Sequence, residues 1–481
     1  MSLINVGSSA NDGTGDPLRT AFQKINANIA RAYFANVGAA IESDTGLTYS
    51  AGQVNSVSEG DTIWTQDGYR FTVLASGESD YDRETSGGVK LWAEPDTQGA
   101  HSILQFGADT AKANNAPFIQ RAFDRSGVRL LVGPEGEFDI TEPLFLRKNG
   151  FTFRGPASAG GQLGTGTLMI RKLTDTTIQI WDQQGENQVN VNCLIAMQRA
   201  DGNTGYLAHI TLENMRLETT QGNCEYGIYA TNTSHHSYIG VGFRFFRIGY
   251  RAFDCWMHRW ERVSISCGSA SPEAIAAGVP EPTGWSSKTY GVLWDNRPQG
   301  SGTSVVMQNC WARNCHVGFA FYGLSYSSMV SAAADHISEC AYYFENCQFG
   351  MIGCGVESIY CADSVFRLVG NSCFVSCDGF TSDGRVYGSP SNSTALVRMD
   401  VGARMVMNAC RFPSQNTTPP AGGTRTVRIR NGSQLVTSLC RFPSGFNDPE
   451  LASDGTWIET INGETRWKNA NGTNTQGPPA S

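Results

Sequence analysis

Charge is scarce in this chain. Asp, Glu, Lys and Arg make up 17% of its 481 residues, and histidine occurs seven times. That is not the Ala-, Glu-, Lys- and Leu-rich make-up of a helical protein. With a net charge of −8 there is no excess of cations to track phosphates, so nucleic acid is not an expected partner. No stretch approaches about 18 uninterrupted apolar residues, so no membrane insertion is expected. The start, Met1-Ser2-Leu3-Ile4-Asn5-Val6, has no basic stretch followed by an apolar run, which argues against a secretory signal. The expectation is a soluble chain made in a host cytoplasm. The 14 cysteines form no Cys-x-x-Cys pair and no Cys/His cluster of zinc spacing, so neither metal nor cofactor is expected. They sit in apolar runs, as at Cys310 and Cys340, and read as small buried residues rather than a disulfide framework. Gly-x-Ser-x-Gly, His-Glu-x-x-His and phosphate-loop motifs are all missing.

What is present is glycine, at 54 copies, with 10% aromatics, a profile common in all-β solenoids and sandwiches. The length exceeds what one compact core holds, so domains or repeats are expected. Residues 1–36 stand apart. Asp16 is placed as a helix N-cap and Pro17 at the first helical position, and Leu18, Phe22, Ile25, Ile29 and Tyr33 form one apolar stripe. Little nearby sequence could cover that stripe, which favours a helix pairing with copies of itself. Residues 37–98 read as a small β module, with period-two alternation on both sides of a Gln66-Asp67-Gly68 turn.

From residue 205 a loose repeat runs, often Tyr-Gly-apolar, anchored at Tyr226, Tyr250, Tyr290, Val317, Tyr342, Ser364 and Asp378. The spacings are 24, 40, 27, 25, 22 and 14, and the longest contains a Gly/Pro/Ala-rich insertion over 269–287. A period in the low twenties fits three short strands per rung. Ala403 to Ser414 and Ser433 to Ser444 then repeat at an offset of 30, each ending Cys-Arg-Phe-Pro-Ser. They are either two larger rungs or a C-terminal β domain within 401–468, and residues 469–481 form a polar tail.

Two strings carry a resemblance. Ile4-Asn5-Val6-Gly7 with Asn11-Asp12-Gly13-Thr14-Gly15-Asp16-Pro17-Leu18-Arg19-Thr20-Ala21-Phe22-Gln23-Lys24-Ile25-Asn26-Ala27-Asn28 resembles an N-terminal segment of phage tail fibres, spikes and baseplate proteins. Phe106-Gly107-Ala108-Asp109, the helix-like Asn115 to Asp124, Pro134-Glu135-Gly136-Glu137-Phe138 and Phe151-Thr152-Phe153-Arg154-Gly155 are similar to the start of pectate-lyase-like β-helices. Thr110 to Asn114 replaces the usual acidic turn, so no ion site carries over. The resemblance implies an all-β chain: a right-handed parallel β-helix over 99–400, behind a virion-attachment segment at 1–36 and a small β head at 37–98. It further implies a homotrimeric phage tailspike, attached to tail or baseplate, located in the virion, that binds and depolymerises a bacterial surface polysaccharide as either a glycoside hydrolase or a polysaccharide lyase. The alternatives are a receptor-binding spike without catalysis and a structural tail adaptor.

Rung counting supplies site candidates. Seven residues before the anchors lie Cys310, Asp335, Glu357 and Asn371, and five before lie the apolar Ala312, Ile337, Ile359 and Cys373. Asp335 and Glu357 would be neighbours on adjacent rungs, the arrangement of an acid and a base in glycoside cleavage. As bare parity points both columns inward, a corner must turn the acids out. A one-residue slip would put His336 beside Glu357 instead. Solvated carboxylates holding a turn are the bland reading of the pair. Glu261 is a third acid/base candidate, one rung earlier. Trp260, Trp285 and Trp311 are candidate sugar platforms, although some of the local tryptophans must be core. Arg259, Arg262 and Arg297 are candidate ligands for acidic sugars.

Overall fold

The computed structural model describes residues 47–50, 56–65, 67–156, 167–181, 187–199, 205–220, 222–268, 287–297, 302–361, 363–388, 395–412, 425–442, 450–452, 454–461 and 464–468, with a few positions before 47. Most of the stripe at Leu18 to Tyr33, the 269–286 stretch with Trp285, and the tail at 469–481 lie outside the described residues. Within the stripe, Phe22 is described and exposed.

The chain forms two compact units, Met1–Pro134 with Phe151–Arg154, and Glu135–Gly150 with Gly155–Ser481. In the first, Thr62–Thr65 and Arg70–Val73 pair antiparallel, and Lys90–Glu94 adds to the second of them. Alternation buries Ile63, Phe71, Val73 and Leu91 on one face. Three parallel strands follow, Ala100–Ser102, Leu130–Val132 and Phe151–Arg154. The helix Ala116–Asp124, with Pro117 in its first turn, buries Ile119, Ala122 and Phe123. Phe123 packs edge-on against Phe151 and Phe153, at 5.3 and 5.6 Å.

The second unit is a parallel β-helix, and its rungs carry three sheets. Sheet A stacks Leu144, Ile195, Ile228, Tyr250, Val292, Phe319, Tyr342, Phe366, Val397 and Val427 in one inward column. Each is essentially sealed from solvent, and burying such a side chain stabilises by about 1.5–3 kcal/mol. Sheet B includes Arg259–Glu261, Val306–Gln308, Ser327–Val330, Gln348–Ile352 and Phe374–Asp378. Sheet C follows at 264–266, 311–313, 333–335, 355–357 and 381–383. The B-to-C corner is one left-handed residue per rung: Arg262, Asn309, Ser331, Gly353 and Gly379 have φ between 51° and 63°. Each of these donates its N–H to the next rung, so the corners form a hydrogen-bonded ladder.

The true anchors differ from those counted along the chain. Tyr342 pairs with Phe319 and Phe366, whereas Val317 pairs with Cys340. Asp378 ends a sheet B strand, so the spacing of 14 is not a rung. The repeats at 403–444 are two further rungs, with Arg404–Asn408 parallel to Gln434–Ser438 and this strand parallel to Thr456–Ile461. The helix therefore continues past residue 400. Thirteen cysteines, Cys361 aside, are free thiols, buried except for the half-buried Cys440. No described helix is long and apolar enough to cross a membrane, and no metal-ligating cluster occurs among the described residues.

Candidate functional site

Each sheet C segment has the form outward, inward, outward. The middle residues Phe243, Ile265, Ala312, Ala334 and Val356 are buried. The third positions line up across successive rungs as Asp139, Arg171, Glu218, Arg244, Ser266, Arg313, Asp335, Glu357 and Asp383. Neighbouring strands lie about 4.8 Å apart, so this column is a charged ladder. Its early part alternates in sign and neutralises itself. Arg171 meets Asp139 at 2.8 Å and Glu137 at 3.2 Å, and Glu218 meets Arg216 at 2.8 Å and Arg244 at 3.9 Å. The late part breaks the alternation with three acids in succession, Asp335, Glu357 and Asp383.

Asp335 is 7% exposed. One carboxylate oxygen accepts the backbone N–H of Glu357 at 2.9 Å, and the other accepts the indole N–H of Trp311. Burial pushes its carboxyl up to about 6, with the Glu357 charge adding to the rise; the two hydrogen bonds and Arg313 act against it. Glu357 is exposed. His336, left-handed at φ 53°, follows Asp335 and breaks the strand alternation. This is the corner that lets Asp335 face out while Ile337 faces in.

The pairing of Asp335 with Glu357 stands, but not for the counted reason. Tyr342 and Ser364 are out of step by two residues, since Tyr342 pairs with Phe366. The interval from 357 to 364 is two residues longer than that from 335 to 340, and the two offsets cancel. Elsewhere the counted columns fail: Arg313, not Cys310, precedes Asp335, and Asp383, not Asn371, follows Glu357. Ala312 pairs with Ala334, and Ile337 with Cys315.

Other candidates are dispersed. Trp260 is 1% exposed and packs on Tyr238 and Tyr250 at 5.1 and 4.7 Å. It is core, because position 260 points inward from sheet B, and it is not a sugar platform. Glu261 is also on sheet B, two rungs before the strand that precedes Asp335, and across the corner from sheet C. It is held by Arg259 at 2.8 Å and by Arg262, so none of the three joins the acid pair. Arg297 lies over Tyr322 at 3.7 Å and meets Asp295 at 2.9 Å and Glu345 at 3.7 Å, beside sheet A. Trp311 does reach the pair, and Arg313 stacks over its ring at 4.5 Å.

Arg244, Ser266 and Arg313 were not among the sequence candidates. A usable signal exists: a left-handed corner residue, a small buried residue, then outward-inward-outward. Asn309-Cys310-Trp311-Ala312-Arg313, Ser331-Ala332-Ala333-Ala334-Asp335 and Gly353-Cys354-Gly355-Val356-Glu357 share it.

No known sequence family and no curated protein matches this chain. Solved structures do. The gp42 tailspike of Acinetobacter phage vb_AbaP_AS12 is 14% identical, with a TM-score of 0.66 over 88% of this chain and 76% of that one. The tailspike of Acinetobacter baumannii phage AM24 is 12% identical, with a TM-score of 0.53 over 89% and 66%. Tailspike protein 2 of the Escherichia coli bacteriophage CAB120 is 11% identical, with a TM-score of 0.50 over 88% and 54%, so this chain spans about half of it. At such low identity the likeness bears on architecture, and by its architecture the chain is a tailspike-like parallel β-helix.

Proposed function

We propose that this chain is a homotrimeric phage tailspike that binds and depolymerises a bacterial surface polysaccharide on the outer face of sheet C. The observation that carries the reading is the in-register pair of Asp335, raised to about 6, and the exposed Glu357. Two carboxyl groups with divergent environments divide the work of glycoside cleavage. Asp335 is the acid that protonates the departing glycosidic oxygen. Glu357 attacks the anomeric carbon, and water then releases the sugar from Glu357 as Asp335 takes back a proton. The spacing of adjacent strands, about 4.8 Å, suits the close carboxyl pair of a retaining enzyme, about 5–5.5 Å apart, better than the wider inverting one. Structural neighbours that are tailspikes support the assignment to a phage tail, and the N-terminal string supports attachment through residues 1–36. The test is the sizing of host capsule or lipopolysaccharide after incubation with wild type, Asp335→Asn and Glu357→Gln. Each variant is expected to lose about 10²–10⁴-fold in rate. Wild-type rates in both folded variants contradict the assignment.

A further inference from the structure

We infer that the polysaccharide is anionic, and that a sugar carboxylate beside the cleaved unit is held between Arg244 and Arg313 above Ser266. The inference rests on the function proposed above and names the substrate class at the same face.

From Asp139 to Arg244 the third positions of sheet C alternate acid, base, acid, base. The next position should be an acid, and it is Ser266, followed by another base, Arg313. Two arginines therefore flank a position that supplies no negative charge. The same rung is small at its other outward position: Ser264 sits between Gly242 and Trp311. Ser264 and Ser266 thus make a low rung, with Arg244 on the strand before it and Trp311 and Arg313 on the strand after it.

Neither arginine is fully used. Arg244 is 34% exposed and touches Glu218 only at 3.9 Å. Arg313 makes no ion pair among the described residues and is spread over the Trp311 ring, at 4.5 Å. Burial lowers the proton affinity of Arg313 and the Arg244 charge lowers it further, while the Asp335 charge on the other side acts the opposite way. The two cations therefore feel each other across Ser266. Arg244 and Arg313 are two strand spacings apart, about 9.6 Å along the column, within reach of two long side chains converging on one carboxylate. Stacking on Trp311 fixes the Arg313 guanidinium beforehand, which reduces the ordering cost of binding. Ser266 is likewise two strand spacings from Asp335, so the acidic unit lies beside the bond being broken.

The probe is D-glucuronate, with D-glucose as the neutral control. Both are titrated at pH 7 into the full chain labelled with 5-fluorotryptophan, and the fluorine resonance of Trp311 is followed, assigned through Trp311→Phe. Glucuronate is expected to shift that resonance saturably and glucose to leave it in place. Arg244→Gln and Arg313→Gln should each weaken the effect about tenfold, the size of one charge-assisted contact. Arg259→Gln, on sheet B, should not. The resonances of buried Trp260 and Trp294 report whether each variant is folded, and two separate variants guard against the loss of one. Equal shifts with both sugars, no shift with either, or folded variants that respond like wild type would overturn the inference. Glucuronate binding without polysaccharide cleavage would count against the proposed function alone; cleavage of a neutral glycan without glucuronate binding would count against this inference alone.

Discussion

At the scale of the residue, Asp335 couples function to stability. Its carboxyl is raised to about 6 in the folded chain, against about 3.9 unfolded. The native state thus binds this proton more tightly, so the stabilising effect is complete below about pH 4 and is lost as pH rises through 6. The loss is roughly 3 kcal/mol above pH 6, at about 1.4 kcal/mol per pH unit. Asn cannot ionise. Asp335→Asn is therefore expected to gain on wild type by roughly 2–3 kcal/mol between pH 4 and pH 8, measured by denaturant unfolding. A gap that stays constant with pH would show that the carboxyl is not raised. If Asp335 is the acid, cleavage should fall as pH rises above about 6, and this limb should be absent from the residual activity of Asp335→Asn.

The same scale shows where chain counting stops. Asp335 and Glu357 could be paired because two offsets cancelled between residues 335 and 364. Trp260, between Arg259 and Glu261, could not be sorted as core from its sequence neighbours, nor Trp311, between Cys310 and Ala312, as outward-facing. What separates them is which side of a strand they occupy, and that depends on the corner residues. Arg244 and Arg313 lie 69 positions apart in the sequence, and only the intervening rung brings them across Ser266.

At the scale of the element, the Tyr-Gly-apolar repeat has a physical cause that the sequence did not reveal. Gly227, Gly249, Gly291 and Gly318 occupy successive sheet A rungs. A Cβ at Gly291 would lie 2.5 Å from the Gly318 carbonyl oxygen and 2.8 Å from the Ala312 Cβ. Sheet A here passes too close to sheet C for any side chain. Gly291→Val is expected to cost roughly 2–4 kcal/mol in denaturant unfolding, as an overpacked core does. A cost below about 0.5 kcal/mol would mean the rung can widen.

The interior of the same rungs is polar in one place. His236 and His258 stack at 4.9 Å. His236 reaches the Tyr238 hydroxyl at 3.3 Å, Tyr238 meets Tyr250 at 3.1 Å, and Tyr250 reaches His258 at 3.3 Å. Burial pushes His236 down to about 3 and lowers His258 well below the usual imidazole range, with the His236 charge adding to the fall at His258. A depressed imidazole gives stability that is present above the unfolded value of about 6.5 and is lost as pH falls below it. At pH 5 the loss from His236 is roughly 2 kcal/mol, more than Asp335 regains, and His258 acts in the same direction. Denaturant unfolding should therefore show lower stability at pH 5 than at pH 7.5, and His236→Gln or His258→Gln should flatten the difference. An unchanged slope in both variants would remove the histidines from the account.

At the scale of the whole molecule, the solenoid was legible before the site. A low-twenties period and the strings around Phe106 and Phe151 implied rungs, and the parallel pairing of the second unit runs from Gly136 to Thr460. The end of the helix was not legible. The rungs at 403–444 lie 30 residues apart, which breaks the period while the parallel register is kept. Trimer assembly is expected to give a light-scattering mass of three chains of 52.0 kDa, and a monomeric mass would contradict it. The most direct test of the central claim remains chemical. Host polysaccharide incubated with wild type, Asp335→Asn and Glu357→Gln is sized by chromatography over time. Wild type is expected to shorten the chains, and both variants, at native mass, to be slower by about 10²–10⁴-fold. Degradation at the wild-type rate by both variants would contradict it.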